Sequence, residues 1–385
     1  MMRSVELGTL ISPAKPVRCG TGEYPVLSMT MHDGLVFQDE KFKKAIASKD
    51  KSDYKVVYRN QLVISFPIDE GVLAAQRITD AGIVSPAYGI WDIDQSKVFP
   101  EYLEYALRCD RALQYYKAKL RGSTARRRSL PTPTLLAFQV PLTSMADQEK
   151  ILNTIHQTNS IIEKREKQIK GFDDLIKARF VEMFGDPETN PLGWQKCSLS
   201  ELIENANNGM ARRGHDEDGN IVLRLVELQD GYIDYSEPNR ILLNEAEKKR
   251  YLLKDKDFLF ARVNGNPDNV GRCAVYHDIG EDVYHNDHII RVHFNESLLN
   301  GTFASALFNS VYGKMQLKNQ IKTSAGQYTV SQDGIGAIET ILPPIKRQEE
   351  FETFVNQVDK SKSVVQKSLD EAQLLFDSLM QQYFG

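Results

Sequence analysis

Two stretches of the chain carry apolar residues at alternating steps of four and three. The first visits Ile151, Ile155, Thr158, Ile162, Arg165, Ile169, Phe172, Ile176, Arg179 and Met183. The second visits Phe351, Val355, Val358, Lys362, Val365, Leu369, Ala372, Phe376, Leu379 and Tyr383. That spacing is a coiled-coil seam, held for about five heptads in each stretch. It predicts a long helix over 144–184 and another over 344–385. Ser144 and Asp147 have the spacing of a helix N-cap with its acid, and Pro343-Pro344 suits the first turn of the second helix. About 40 residues at 1.5 Å rise make a rod of roughly 60 Å. Thr158, Arg165, Arg179 and Lys362 are polar in the seam, which costs stability and can fix register. Gly171 weakens the first helix by up to about 1 kcal/mol. A globular bundle of two amphipathic helices is the alternative, although heptads this long are uncommon in compact cores.

Ahead of each helix the apolar pattern has the period of strands. Tyr54-Lys55-Val56-Val57 and Leu62-Val63-Ile64-Ser65-Phe66 correspond to Phe258-Leu259-Phe260 further on. Asp33-Gly34 follows Val26-Leu27-Ser28-Met29, and Asp230-Gly231 follows Leu223-Arg224-Leu225-Val226; both read as hairpin turns. A shorter helix is expected around 100–119 and around 299–322, closing each strand-rich head. The class is α+β. Gly185 to Trp194 holds two Pro and two Gly and reads as a linker.

The two halves repeat. Residues 84–185 fall on 284–385 without a gap. Ile90 meets Ile290, Ala106-Leu107 meets Ala306-Leu307, Ala125 meets Ala325, and Leu142 meets Leu342. Gln148-Glu149 meets Gln348-Glu349, Leu175 meets Leu375, and Phe184-Gly185 meets Phe384-Gly385. Four segments result: a head over 1–143, a central helix over 144–184, a second head over 185–343 whose linker is 185–194, and a distal helix over 344–385.

Composition narrows the class. Hydrophobic content of 41% and charged content of 26% are those of a soluble globular protein. No window approaches the ~20 apolar residues of a membrane span. The start, Met1-Met2-Arg3-Ser4-Val5, lacks the apolar core of a signal peptide, so a cytoplasmic protein is expected. Cys19, Cys109, Cys197 and Cys273 are scattered, which fits reduced thiols and no zinc finger.

Catalytic patterns are missing. Gly265-Asn266-Pro267-Asp268-Asn269-Val270-Gly271-Arg272 lacks the lysine and hydroxyl of a phosphate-binding loop. Asn190-Pro191-Leu192-Gly193 lacks the aromatic residue that stacks on an extruded base in amino-methyltransferases. His285, His288 and His293 admit metal ligation, yet polar strand ends explain them as well; five residues apart on a strand, His288 and His293 face opposite sides. No metal is expected.

Polyanion chemistry is present. The net charge of −4 hides two acid-free windows, 111–146 and 297–332, at equivalent places in the repeat. The first carries Arg111, Lys117, Lys119, Arg121, Arg126, Arg127 and Arg128, with Gly122 and Ser123 between cations. The second carries Lys314, Lys318 and Lys322, spaced as one helix face, and then Gln327. Such clusters suit a phosphate backbone. Arg262 and Asn264 flank an apolar strand end and have the bidentate chemistry for guanine and adenine edges. The DNA-contact candidates are therefore Lys117, Lys119, Arg121, Ser123, Arg126, Arg127, Arg128, Arg262, Asn264, Lys314, Lys318, Lys322 and Gln327. The coiled-coil candidates are Ile151, Ile155, Ile162, Ile169, Ile176, Val355, Val358, Val365, Leu369 and Phe376.

The order of strings resembles the specificity subunit of type I restriction–modification systems along the whole chain. Val84-Ser85-Pro86-Ala87-Tyr88, Tyr102-Leu103, Gly122-Ser123-Thr124 and Gln148-Glu149-Lys150-Ile151 look like the landmarks of a target-recognition domain running into its helix. Phe184-Gly185-Asp186-Pro187 through Asn190-Pro191-Leu192-Gly193-Trp194 looks like the junction opening a second such domain. The second copy departs, with His285-Asn286-Asp287-His288 for Ser85-Pro86-Ala87-Tyr88 and Thr323-Ser324 without the preceding glycine. The resemblance implies two target-recognition domains separated by helices that pair as an antiparallel coiled-coil spacer. It implies a non-catalytic DNA reader with a bipartite, asymmetric target in the major groove. The partners implied are double-stranded DNA, two modification (methyltransferase) subunits and a restriction/translocation subunit, with no membrane. No cofactor is expected in this chain; S-adenosylmethionine and ATP/Mg would serve the partner subunits. The alternatives are a self-contained DNA methyltransferase or nuclease fragment, and a coiled-coil protein scaffold without DNA binding.

Overall fold

A computed structural model describes residues 2–31, 33–41, 50–120, 130–324 and 326–385. The chain divides into two compact units: Met1–Glu166 with Lys367–Gly385, and Lys167–Gln366. Each unit thus holds a head together with a stretch of both long helices, Met145–Phe184 and Ile345–Phe384.

In the first unit the central sheet, among the described residues, has four strands in the order Ile11–Pro13, Gly89–Ile93, Leu62–Ile64, Leu73–Ala75. In the second it has the order Ile203–Asn208, Ile289–Phe294, Phe258–Ala261, Cys273–Val275. Ladder partners give the equivalences. Val5 faces Val140 and Cys197 faces Thr340, so Cys197 stands for Val5, an offset of 192. Ile11 faces Ile93 and Asn205 faces His293, an offset of 194. Leu62 faces Trp91 and Leu259 faces Arg291, an offset of 197. At Gly89–Ile93 the offset is 200. The repeat therefore reaches back through the central sheet to the first strand of each head. Insertions in the second head before its Ile289–Phe294 strand account for the shift from 192 to 200.

Inside that span one slip corrects the expected register. Gln148 accepts from the Phe99 N–H, and Gln348 accepts from the Asn300 N–H, an offset of 201. Ala106-Leu107 consequently matches the buried Leu307-Phe308 rather than Ala306-Leu307. The single closing helix expected in each head is also two helices. Pro100–Arg108 and Asp110–Lys119 break at Cys109, whose ψ of 158° is extended. Gly301–Phe308 and Val311–Asn319 break at Ser310, whose hydroxyl accepts from the Gly313 N–H and caps the second helix. A Cβ on Gly313 would lie 2.2 Å from the Leu307 carbonyl oxygen, so glycine permits the tight corner.

The expected hairpin at Asp33-Gly34 joins Leu27–Thr30 to Gly34–Phe37, with Gly34 at φ +66°. At Asp230-Gly231 a turn closes on a bridge between Leu228 and Ile233, and Gly231 has φ +88°. The run before it is shorter than its alternation suggests: the strand Asn220–Leu223 ends at Leu223.

The long helices begin as their caps predict. The Ser144 hydroxyl accepts from the Asp147 N–H at 3.2 Å and donates to the Asp147 carboxylate at 2.8 Å. Along both helices the seam positions are buried or half-buried, from Ile151 to Met183 and from Phe351 to Tyr383. In the first unit Ile151, Leu152 and Ile155 share a core with Phe376, Met380, Tyr383 and Phe384. In the second, Phe180, Met183 and Phe184 share one with Phe351 and Val355. In each unit, then, the start of one helix lies with the end of the other, which is antiparallel pairing.

Each core is built on the same aromatic joint. Phe384 meets Tyr102 with ring centroids 5.0 Å apart, and Phe184 meets Phe303 at 4.8 Å. Edge-on contacts of this kind add to area burial. The Cys109 thiol and the Arg111 Nε both donate to the Phe384 carbonyl, closing the end of the second helix. The Trp194 indole donates to the Phe184 carbonyl at 2.9 Å and closes the first. Asn190, at φ +46°, holds the Trp194 backbone by two hydrogen bonds, so the residues read as a linker form a helix stop.

Candidate nucleic-acid interface

The second unit places several candidates at one edge. Strand Lys322–Ser324 turns back through Gly326, at φ +79°, into Gln327–Thr329. Gln327–Thr329 in turn pairs with Val263–Asn264. The helix before it ends at Asn319, so Lys322 is a strand residue and does not extend the face of Lys314 and Lys318. That corrects the expected helical row: Gln320 and Ile321 turn the chain and the hairpin takes over.

Arg262, Lys322, Thr329, Ser331, Gln332, Asp333 and Asn208 line a cleft of about 330 Å³. Arg262 donates through Nη1 to the Asp287 carbonyl at 3.1 Å, which fixes its guanidinium beside the cleft. Gln332 donates through Nε2 to the Asn208 Oδ1 at 3.1 Å. Lys322 is exposed, and its ammonium has no partner among the described residues. The Asn264 carboxamide accepts from the Asn266 N–H and shapes the following turn. Gln327 is exposed on the hairpin.

Lys314 and Lys318 are tied elsewhere. Lys314 pairs with Asp230 at 2.5 Å and Lys318 with Asp268 at 3.1 Å, all four side chains being well exposed. Exposed pairs contribute about 0–1 kcal/mol, so a phosphate can compete for either lysine. In the first unit Lys117 and Lys119 stand exposed in the last turn of Asp110–Lys119, where cations suit the helix dipole. Arg121, Ser123, Arg126, Arg127 and Arg128 lie outside the described residues.

The histidine cluster is divided among three environments. His285 is fully buried, and its Nδ1 lies 3.3 Å from the Tyr251 carbonyl oxygen. Burial, with Arg291 next, holds its pKa down at about 4. The His288 Nε2 lies 3.1 Å from the Arg213 Nη2. Burial lowers its pKa; Arg213 and Arg262 lower it further, against the pull of Asp287. His293 meets the buried Asp257 at 2.9 Å, and Arg291 bridges Asp257, Asn205 and Asn207. Among the described residues no group of three His, Cys, Asp or Glu could hold a metal ion. No helix there is long and apolar enough to cross a membrane.

Sequence reasoning missed Asn208 and Gln332. Neither is charged, and no spacing joins residues 124 positions apart. The coiled-coil candidates form the helix seams: Ile151, Ile155, Val355 and Val358 are buried, and Ile162, Ile169, Ile176, Val365, Leu369 and Phe376 are half-buried.

No family model matches the chain. The StySPI type I restriction enzyme specificity subunit of Salmonella potsdam is 28% identical over 258 residues, covering 63% of this chain and 55% of that protein. The EcoKI specificity subunit of Escherichia coli K12 is 22% identical over the same extent of each. The match thus spans about half the length of these curated relatives. Among solved structures, the type I restriction–modification S subunit from M. genitalium has a TM-score of 0.56 at 15% identity, covering 100% of this chain and 96% of that one. A chain from a structural study of complex assembly and conformational transition in the type I R-M system gives 0.55 at 14% identity, covering 100% and 97%. At such identity these structures speak for the fold. Over those 258 residues of sequence, and in fold, this chain is similar to type I restriction enzyme specificity subunits.

Proposed function

We propose that the chain is a non-catalytic reader of DNA sequence, each head taking one half of a bipartite, asymmetric target in the major groove. The observation that carries this reading is a repeat with a constant scaffold and unlike edges. Gln148 and Gln348 make matching bonds, while Ser85-Pro86-Ala87-Tyr88 gives way to His285-Asn286-Asp287-His288 at the strand end. Two readers on one frame need common packing and different edge chemistry, because each base pair shows its own donor and acceptor pattern.

Residues 1–143 and 185–343 then act as the target-recognition domains, with 144–184 and 344–385 as spacer helices. Lys117, Lys119, Arg121, Ser123, Arg126, Arg127 and Arg128 serve the first half-site. Arg262, Asn264, Lys314, Lys318, Lys322 and Gln327 serve the second. The partners are two modification subunits, which bring S-adenosylmethionine, and a restriction/translocation subunit, which brings ATP and Mg; the setting is the cytoplasm. The names of the sequence relatives, which are specificity subunits of restriction enzymes, support this assignment.

The test is binding by the chain with its modification partner to duplexes carrying the methylated sequence of the source genome. One bipartite sequence should be preferred, and log affinity should fall linearly with log salt. Salt-independent binding, or methylation of DNA by this chain alone, would refute the reading.

A further inference from the structure

At one place of the shared fold the two heads differ in three residues that lie together in the second. Asn208 pairs with Ile290, and the Ala14 N–H donates to the Ile90 carbonyl, so Ala14 holds the place of Asn208 in the first head. Ser65 follows Ile64 as Arg262 follows Ala261, since Ile64 faces Gly89 and Ala261 faces Ile289. Thr132 opens the helix Thr132–Leu136 as Gln332 opens Gln332–Gly336. An amide, a guanidinium and an amide thus stand where the same fold elsewhere accepts a methyl and two hydroxyls. Packing does not require them.

What these residues offer follows from their mutual bond. Gln332 spends one amide hydrogen on the Asn208 Oδ1. The Gln332 Oε1 and the Asn208 Nδ2 then have no partner among the described residues, and Asn208 is exposed. An acceptor and a donor are left side by side in a cleft open to solvent. In the major groove adenine presents the complementary pair, an N6 donor beside an N7 acceptor. Guanine presents two acceptors there and would set O6 or N7 against the Gln332 oxygen. Lys322, exposed on the same cleft, is placed for the adjoining phosphate.

We infer that Asn208 and Gln332 together read one adenine in the half-site of the second head, with Lys322 on the neighbouring phosphate. This rests on the DNA-reading function proposed above. It assigns base contact to an amide pair and backbone contact to the lysine.

The test uses the complex with its modification partner and a set of duplexes in which each target position is changed in turn. Gln332→Ala, Asn208→Ala and Asn208→Asp are compared with the unaltered chain. Asn208→Asp keeps the acceptor for Gln332 and removes the donor aimed at N7, so it separates reading from folding. Each variant should lose roughly 5- to 150-fold of preference for A·T at one position of one half-site. All other positions should keep theirs. Lys322→Ala should weaken every duplex alike and lower the salt slope by about one. Unchanged preference at every position in the Asn208→Asp and Gln332→Ala complexes would overturn the inference, as would loss centred on a G·C pair. An unaltered complex that prefers no sequence at all would instead sink the parent reading.

Discussion

Gln148 and Gln348 make the same three hydrogen bonds in their separate units. The Gln148 Nε2 donates to the Lys97 and Thr143 carbonyls, and its Oε1 accepts from the Phe99 N–H. The Gln348 Nε2 donates to the Leu298 and Pro343 carbonyls, and its Oε1 accepts from the Asn300 N–H. Both side chains are fully buried. Each ties the first turn of a long helix to the loop that enters the head's own helices. Gln148→Leu or Gln348→Leu leaves three backbone groups unpaired, and should cost about 2–4 kcal/mol from desolvation penalties of about 1–3 kcal/mol per group, partly relieved by water. Gln→Glu at either place should also destabilise, because the carboxylate keeps the acceptor and loses both donors. Denaturant unfolding of the four variants checks this, and equal losses at the two sites are expected.

The aromatic joints should behave as a second matched pair. Phe184 and Phe384 are fully buried, each against an aromatic ring of a head helix. Phe184→Ala and Phe384→Ala should each cost about 3–5 kcal/mol, the range for emptying a phenylalanine site in a core. Hydrogen exchange locates the effect: loosened amides should concentrate in Lys167–Gln366 for Phe184→Ala, and in Met1–Glu166 with Lys367–Gly385 for Phe384→Ala.

The seams were legible because burial on a helix repeats every few residues, and Ile155 or Val355 follows from spacing alone. The four-stranded sheets were legible only in part. Leu62–Ile64 and Phe258–Ala261 are short apolar runs, but their strand order depends on partners far along the chain. Lys322 was misplaced on a helix because i, i+4, i+8 spacing carries no information about where a helix stops. The stop comes from a hairpin that needs Gly326 and a partner strand at Val263–Asn264. The cleft was illegible for the same reason: Asn208 and Gln332 meet through folding and share no local pattern.

His285 should make the second unit sensitive to mild acid. Its imidazole titrates near 4 in the folded chain, against an ordinary 6.5. The unfolded chain therefore takes up the proton first as pH falls. Stability from this group is complete above about pH 6.5 and drains between 6.5 and 4, by up to about 3 kcal/mol at 1.36 kcal/mol per unit. His288, also held below its ordinary value, acts in the same direction. Unfolding free energies at pH 7.5 and pH 5 should differ for the unaltered chain and differ less for His285→Phe.

Gly171 sits inside an unbroken helix with open space where a Cβ would stand. Gly171→Ala should therefore stabilise the chain, by up to about 1 kcal/mol, since alanine restricts the unfolded backbone and the helix already has its geometry. A thermal melt reads the gain, and a lowered melting temperature would contradict it.

Lys362 and Asp173 join the two long helices within the second unit, with Nζ and Oδ1 2.6 Å apart. Asp359 stands beside them; burial raises its pKa, Lys362 lowers it, and Asp173 adds to the rise. One cation thus serves two carboxylates at the seam. Both partners of the ion pair are about a third or more exposed, so its own contribution is about 0–1 kcal/mol. Its larger effect is on alignment: a one-turn shift that moves Asp359 into the place of Lys362 sets two acids facing each other. Lys362→Asp alone should destabilise beyond the pair's own worth, because it brings three carboxylates together. Adding Asp173→Lys restores one cation among two acids and should recover most of the loss. A double-mutant cycle in low and high salt measures the coupling, and a cycle without recovery would show that Lys362 acts by packing its stem rather than by its charge.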